Sequence, residues 1–184
     1  MPKGKLSLII GLLALCATRI YAGEFPDSWT WDETSQGARA AHAALEGKPM
    51  PALSVTGWMN GKVEPAAMKG KVVIVDFYAT WCGPCMAAIP HNNEMLEKYK
   101  DKGLVIVGVC TSSKGQENMA DTVKTKGIKY PTALDPKLAS EKAWAVHYYP
   151  TYAVVDRKGV VRAIGLQPQH VEAVVQKLLA EPAS

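Results

Sequence analysis

The chain has 184 residues, 21 of them Lys or Arg against 17 Asp or Glu, a formal net charge of +4 and only four cysteines. This length supports one domain with a proper core, and so few cysteines exclude a multi-disulfide scaffold. Three of the basic residues, Lys3, Lys5 and Arg19, lie before residue 23, and without them bases outnumber acids by one. Composition therefore makes no electrostatic case for a nucleic acid or an anionic membrane as partner.

The N-terminus carries Lys3 and Lys5, then the apolar run Leu6 to Ala17, then Ile20-Tyr21-Ala22. A basic start, a short hydrophobic middle and a small residue before the cut fit a secretory signal over residues 1–22. The run is shorter than the roughly 20 apolar residues a membrane span needs, and an uncleaved anchor is the alternative. Cys16 reads as a passenger of this segment, because Leu15 before it is bulky for a lipoprotein site. Residues 23–33 read as an irregular lead-in, and Thr34 to Glu46 as an alanine-rich helix stopped by Gly47 and Pro49. The expected organisation is lead-in and helix over 23–46, then one domain over 47–184. Leu53 to Gly57 and the Asn60-Gly61 pair predict a short hairpin, since Asn-Gly favours tight turns.

Val72-Val73-Ile74-Val75, extended by Phe77, predicts a buried strand. It runs into Trp81-Cys82-Gly83-Pro84-Cys85, where a helix should open. Amides at a helix start favour negative charge, so a cysteine there ionises more readily than a free thiol. A second sulfur one turn further on is placed to attack a mixed disulfide formed by the first. That is equipment for thiol–disulfide exchange. The competing readings are half of a zinc site, which lacks a second pair at ribbon spacing, and a static disulfide, which has no long loop to staple.

A helix follows from about Cys85 to Lys100, with a bend expected near Pro90. Leu104 to Val109 predicts a second strand and Gln116 to Lys126 a surface helix. Pro131 to Leu134 reads as a short strand and Lys137 to Val146 as a helix. Thr151 to Val155 and Val160 to Ile164 flank Asp156-Arg-Lys-Gly159 as an antiparallel hairpin. Pro168 opens the last helix, with Val171, Val174, Val175, Leu178 and Leu179 on a core-facing stripe. Such an order gives an α/β sandwich with a mixed sheet, whose chemistry gathers at the carboxyl ends of its parallel strands. Cys82, following strand 72–78, falls at that edge.

Asp76, set in an apolar strand, should be buried with a raised pKa, able to relay a proton to or from Cys85. A partly exposed strand-end acid is the alternative. Cys110, at the end of strand 104–109, reads as a buried small hydrophobe. His147, three residues before Pro150, is a candidate influence on the thiolate, and a solvated or core histidine is the plainer reading. His42, His91 and His170 show no convergent pattern, so no metal is expected, and no cofactor is called for. The Lys-rich stretch 98–102 reads as a solvated helix end.

The block Val72 to Pro90 resembles thioredoxin-fold proteins: Trp-Cys-Gly-Pro-Cys, an Asp six residues before the first cysteine and a Pro five after the second. Tyr149-Pro150-Thr151 looks like that fold's cis-proline loop. The front region from Gly47 to Lys71 and the helix-and-strand insert between 110 and 136 resemble exported thioredoxin-like proteins of the TlpA/ResA type. The resemblance implies an α/β thioredoxin fold: a central mixed sheet flanked by helices, with an N-terminal hairpin extension and a central helix–strand insert. It implies Cys82 as the more exposed, attacking thiolate and Cys85 as the resolving thiol. Trp81 would shield the disulfide and touch substrate, an ordinary core Trp being the alternative. Tyr149, Pro150 and Thr151 would dock an extended client, an ordinary strand-initial trans proline being the alternative. It implies a lysine beside the buried acid, which strand 104–109 lacks, and, for members serving cytochrome c maturation, an acid where this chain has Ala88.

The function expected is thiol–disulfide exchange, reducing disulfides of exported proteins, in cytochrome c maturation or general periplasmic redox homeostasis. Partners would be protein dithiols and disulfides and a membrane or periplasmic electron donor, with no nucleic acid and a monomeric chain. The location would be the periplasm. A dithiol oxidase, a thiol peroxidase (for which no Thr-x-x-Cys element is present) and a non-enzymatic strand-addition module are the alternatives.

Overall fold

A computed structural model describes residues 23–31 and 37–182. The expected signal, residues 1–22, and the expected helix start at Thr34 lie outside them. In chain order the elements are α1 (Ala38–Ala43), β1 (Thr56–Met59), α2 (Pro65–Met68), β2 (Val72–Tyr78), α3 (Gly83–Tyr99), β3 (Leu104–Cys110), α4 (Met119–Lys126), β4 (Thr132–Leu134), α5 (Ala139–Ala143), β5 (Thr151–Val155), β6 (Val161–Leu166) and α6 (Pro168–Ala180). The strands form one mixed sheet in the order β1-β4-β3-β2-β5-β6. β2, β3 and β4 run parallel, and β1, β5 and β6 pair antiparallel to their neighbours.

Alternation along β2 divides the core in two. Val72, Ile74 and Tyr78 enter one cluster with α3, α4 and α6; Val73, Val75 and Phe77 enter another with Trp144, Val146 and the chain between Leu45 and Met68. Because both faces are covered, every residue of β2 is buried, and the β-branched run suits that double burial. On α6, Val171, Val174, Val175 and Leu178 bury as the stripe predicts.

Three expectations at this level change. The hairpin around 53–61 is instead the single strand β1, antiparallel to β4. Asn60 and Gly61 do take the positive φ of a tight turn, at 58° and 98°. The chain then enters α2 at Pro65, so the local turn is real but its strand partner is distant. The helix expected over 137–146 is confined to α5, because Leu138 sits at φ 52° and Ala145 at φ 50°. The helix over 116–126 opens as a 3-10 turn over Gln116–Asn118 before α4. Pro90 lies inside α3, which runs unbroken through it.

Candidate active site

The carboxyl end of β2 delivers the chain to α3 through Ala79 and Thr80, and Cys82 is the residue that caps the helix. Its backbone is extended (φ −80°, ψ 106°), and its Sγ accepts the Cys85 amide N–H at 3.1 Å. A sulfur in that position takes the role that a Ser or Asp oxygen plays at other N-termini, where negative charge is favoured. Pro84 in the first turn suits it, since its missing N–H is one the helix would not have used. Cys82 and Cys85 are joined as a disulfide. Both sulfur-bearing residues are buried, Cys82 at 4% and Cys85 at 3%, so exposure hardly separates the two. Trp81, not either sulfur, is the prominent surface feature, at 61%.

Trp81 packs edge-on against Tyr149, ring centroids 5.8 Å apart, and its indole N–H donates to Ser112 Oγ at 3.3 Å. Thr80 Oγ1 donates to the Gly115 carbonyl at 2.7 Å. A Cβ at Gly115, whose φ is +85°, would come within 2.5 Å of Thr80 Oγ1 and 3.1 Å of Trp81 Cδ1. Glycine there is what lets the loop after β3 close onto the dithiol loop. The peptide bond Tyr149–Pro150 is cis. Thr151 opens β5, and its Oγ1 donates to the Tyr148 carbonyl at 2.6 Å. Trp81, Tyr149, Pro150 and the disulfide thus lie at the same sheet edge.

Asp76 is buried, 3% exposed, on the α3 side of the sheet. Its Oδ2 accepts from the Tyr130 hydroxyl at 2.9 Å and from Asn92 Nδ2 at 3.1 Å. Burial pushes its carboxyl up to about 7, against the opposing pull of hydrogen bonds from Tyr130, Tyr152 and Asn92. The described groups that hydrogen-bond this carboxyl are all uncharged. Cys110 is a buried free thiol, raised by burial to about 12 and therefore neutral. His147 is exposed with its ring 6.4 Å from that of His42, which is itself bonded to the Ala145 carbonyl at 2.9 Å. Among the described residues no group of three or more His, Cys, Asp or Glu is arranged to hold a metal.

Several residues here escape sequence reading. Glu141 of α5 accepts hydrogen bonds from Tyr149 OH and, at 2.9 Å, from Thr111 Oγ1, tying the insert to the cis-proline loop. Asn92 carries a legible signal in retrospect: it shares the buried face of α3 with Cys85, Ala88, Ile89 and Met95, a polar side chain on an apolar stripe.

The Redoxin family model matches residues 45–179. The thiol-disulfide oxidoreductase ResA of Bacillus cereus (strain ZK / E33L) is 31% identical over 185 residues, covering 97% of this chain and 99% of that one. Protein DipZ of Mycobacterium bovis is 36% identical over 118 residues, which is 60% of this chain but only 17% of DipZ. Among solved structures, a thiol:disulfide interchange protein described as DsbE, from Chlorobium tepidum, superposes with a TM-score of 0.62 at 32% identity, over 72% of this chain and 94% of that one. With these matches and a Cys-Gly-Pro-Cys disulfide at the helix start, the chain belongs to the Redoxin family, as a thioredoxin-like thiol–disulfide oxidoreductase of the TlpA/ResA type.

Proposed function

We propose that the protein works as a reductase of disulfides in exported proteins, with Cys82 as nucleophile and Cys85 as resolving thiol. The observation that carries this is the placement of Cys82 Sγ at the N-terminus of α3, bonded to the Cys85 amide, with its partner sulfur within covalent reach. In the reduced protein the Cys82 thiolate attacks one sulfur of a client disulfide, and the other client sulfur leaves as a thiolate that takes a proton from water. Cys85 then gives its proton to Asp76, and its sulfur attacks Cys82. The client's second thiolate departs with a proton from water, leaving the Cys82–Cys85 disulfide. Two electrons pass to the client, and a separate dithiol donor, membrane-bound or periplasmic, must return them. Gly-Pro between the cysteines, as in reducing thioredoxins, supports this direction.

The edge made by Trp81, Tyr149, Pro150 and Thr151 is the docking site for an extended client segment, which pairs with the backbone of Tyr149. The basic, apolar N-terminus supports export to the periplasm, with retention as an uncleaved anchor the variant reading. Among the described residues no helix is long and apolar enough to cross a membrane. The monomer is the proposed working unit. Cytochrome c maturation is the narrower role within this reading, and Ala88, where such members carry an acid, argues for broader redox homeostasis instead.

Catalysed reduction of insulin by dithiothreitol is the test. Activity is expected in the parent protein and absent in Cys82→Ser; equal turnover in the two would end the proposal. Equilibration with glutathione addresses direction. A potential well above about −180 mV, the region of oxidising foldases, contradicts a reductase.

A further inference from the structure

Asp76 sits in a row of residues crossing the sheet on one face. Tyr152 of β5 lies opposite it on one side and Gly108 of β3 on the other, with Thr132 of β4 beyond. A Cβ at Gly108 would come within 2.6 Å of Thr132 Oγ1 and 3.1 Å of Tyr130 Cε2. The absence of a side chain at 108 therefore leaves the volume that the Tyr130 ring fills, and that ring's hydroxyl reaches Asp76 Oδ2. Asn92 Nδ2 lies 3.1 Å from the same oxygen, 2.8 Å from the Tyr152 hydroxyl and 3.3 Å from the Tyr130 hydroxyl, its two hydrogens shared among these three acceptors. The other oxygen, Oδ1, is buried with no hydrogen-bond partner among the described residues. Tyr130 and Asn92 thus both reach the same oxygen, Oδ2, and leave Oδ1 free of either.

We propose that Tyr130 and Asn92 are positioning residues for the exchange reaction: by holding Oδ2 they make Oδ1 the proton-exchanging oxygen and set the pH at which Asp76 accepts the Cys85 proton. This rests on the relay assigned to Asp76 above. In the step itself, the Cys85 S–H bond breaks and its proton goes to Oδ1. The freed sulfur pair forms the bond to Cys82 Sγ, and the Cys82–client bond breaks toward the client sulfur. The groups facing Asp76 are Tyr130 from the loop before β4, Tyr152 from β5 and Asn92 from α3. Tyr78 on β2, Cys85 on α3 and Cys110 on β3 share the same core cluster. α4 and α6 contribute Met119, Val123, Val171, Val174, Val175 and Leu178 to that cluster, and α4 also buries Thr122. The described groups acting on the carboxyl are all uncharged. Hydrogen bonds alone therefore favour its anion, and deleting a donor must make ionisation harder.

The test uses the full chain, reduced, with carbon-13 NMR of the Asp76 carboxyl followed against pH, beside the rate at which a Cys82–client mixed disulfide resolves. Tyr130→Phe keeps the ring and removes only the donor. Its carboxyl midpoint should rise by about one pH unit. Resolution should slow several-fold near neutrality and recover at pH 9. Asn92→Leu should shift the midpoint the same way, and serves if Tyr130→Phe folds poorly. A midpoint unmoved or lowered in these variants, with a rate still dependent on Asp76, overturns the positioning role. By contrast, a parent-like pH profile in Asp76→Asn would remove the relay itself.

Discussion

Asp76 is where stability and chemistry pull against each other. Its folded-state pKa of about 7 stands above the ordinary 3.8, so the folded protein holds a proton there that the unfolded chain has released. Stability from this group is therefore greatest below about pH 4, falls as pH rises through the interval, and stays low above about 7. The loss is at most about 4 kcal/mol, taking 1.36 kcal/mol per unit. Asp76→Asn should accordingly be more stable than the parent at pH 8 by about 2–4 kcal/mol and nearly unchanged at pH 4, read from urea midpoints. A difference independent of pH would contradict the burial argument. The residues that tune this acid were the least legible in the sequence. Asp76 itself stands out as a carboxylate in an apolar run, whereas Tyr130 lies 54 positions away and reaches it only once β3 and β4 are aligned.

At the scale of elements, local signals carried far. The β-branched run at 72–75, the cysteine pair at a helix start and the proline opening α6 each determine structure through neighbours a few residues off, and each element forms where its chemistry places it. The exceptions have two causes. Asn60-Gly61 makes its turn, but tertiary pairing with β4 replaces the hairpin partner, and helix α5 is trimmed at both sides by positive-φ residues that no periodicity announces. The β3–β4 pairing also yields a prediction. Gly108→Ala would press a methyl group against Thr132 and the Tyr130 ring, and overpacking of this kind costs about 1–3 kcal/mol. A lowered thermal midpoint is expected, with the Asp76 carboxyl titration displaced; unchanged values of both would show that the ring yields freely.

Across the whole molecule, the site depends on a sheet covered on both faces and on an N-terminal strap closing its edge. Thr30 bridges to Leu166, and Gln167 N–H donates to the Trp29 carbonyl at 2.8 Å. Near the other end of the strap, the buried Arg162 guanidinium pairs with Glu24, Asp156 and Glu181. Losing one charged partner of that set, as in Glu24→Ala, should lower stability by about 1–2 kcal/mol while insulin reduction persists at temperatures where the variant is folded. Loss of activity without loss of stability would show that the strap acts on the site directly.

The most direct test of the dithiol assignment is the pH dependence of iodoacetamide alkylation in the reduced protein, with the two cysteines distinguished by peptide mapping. Cys82 should react first, with a midpoint clearly below the 8.5 or so of a free thiol, while Cys85 stays slow. Equal rates at both positions with midpoints at or above that value would contradict a helix-stabilised nucleophile.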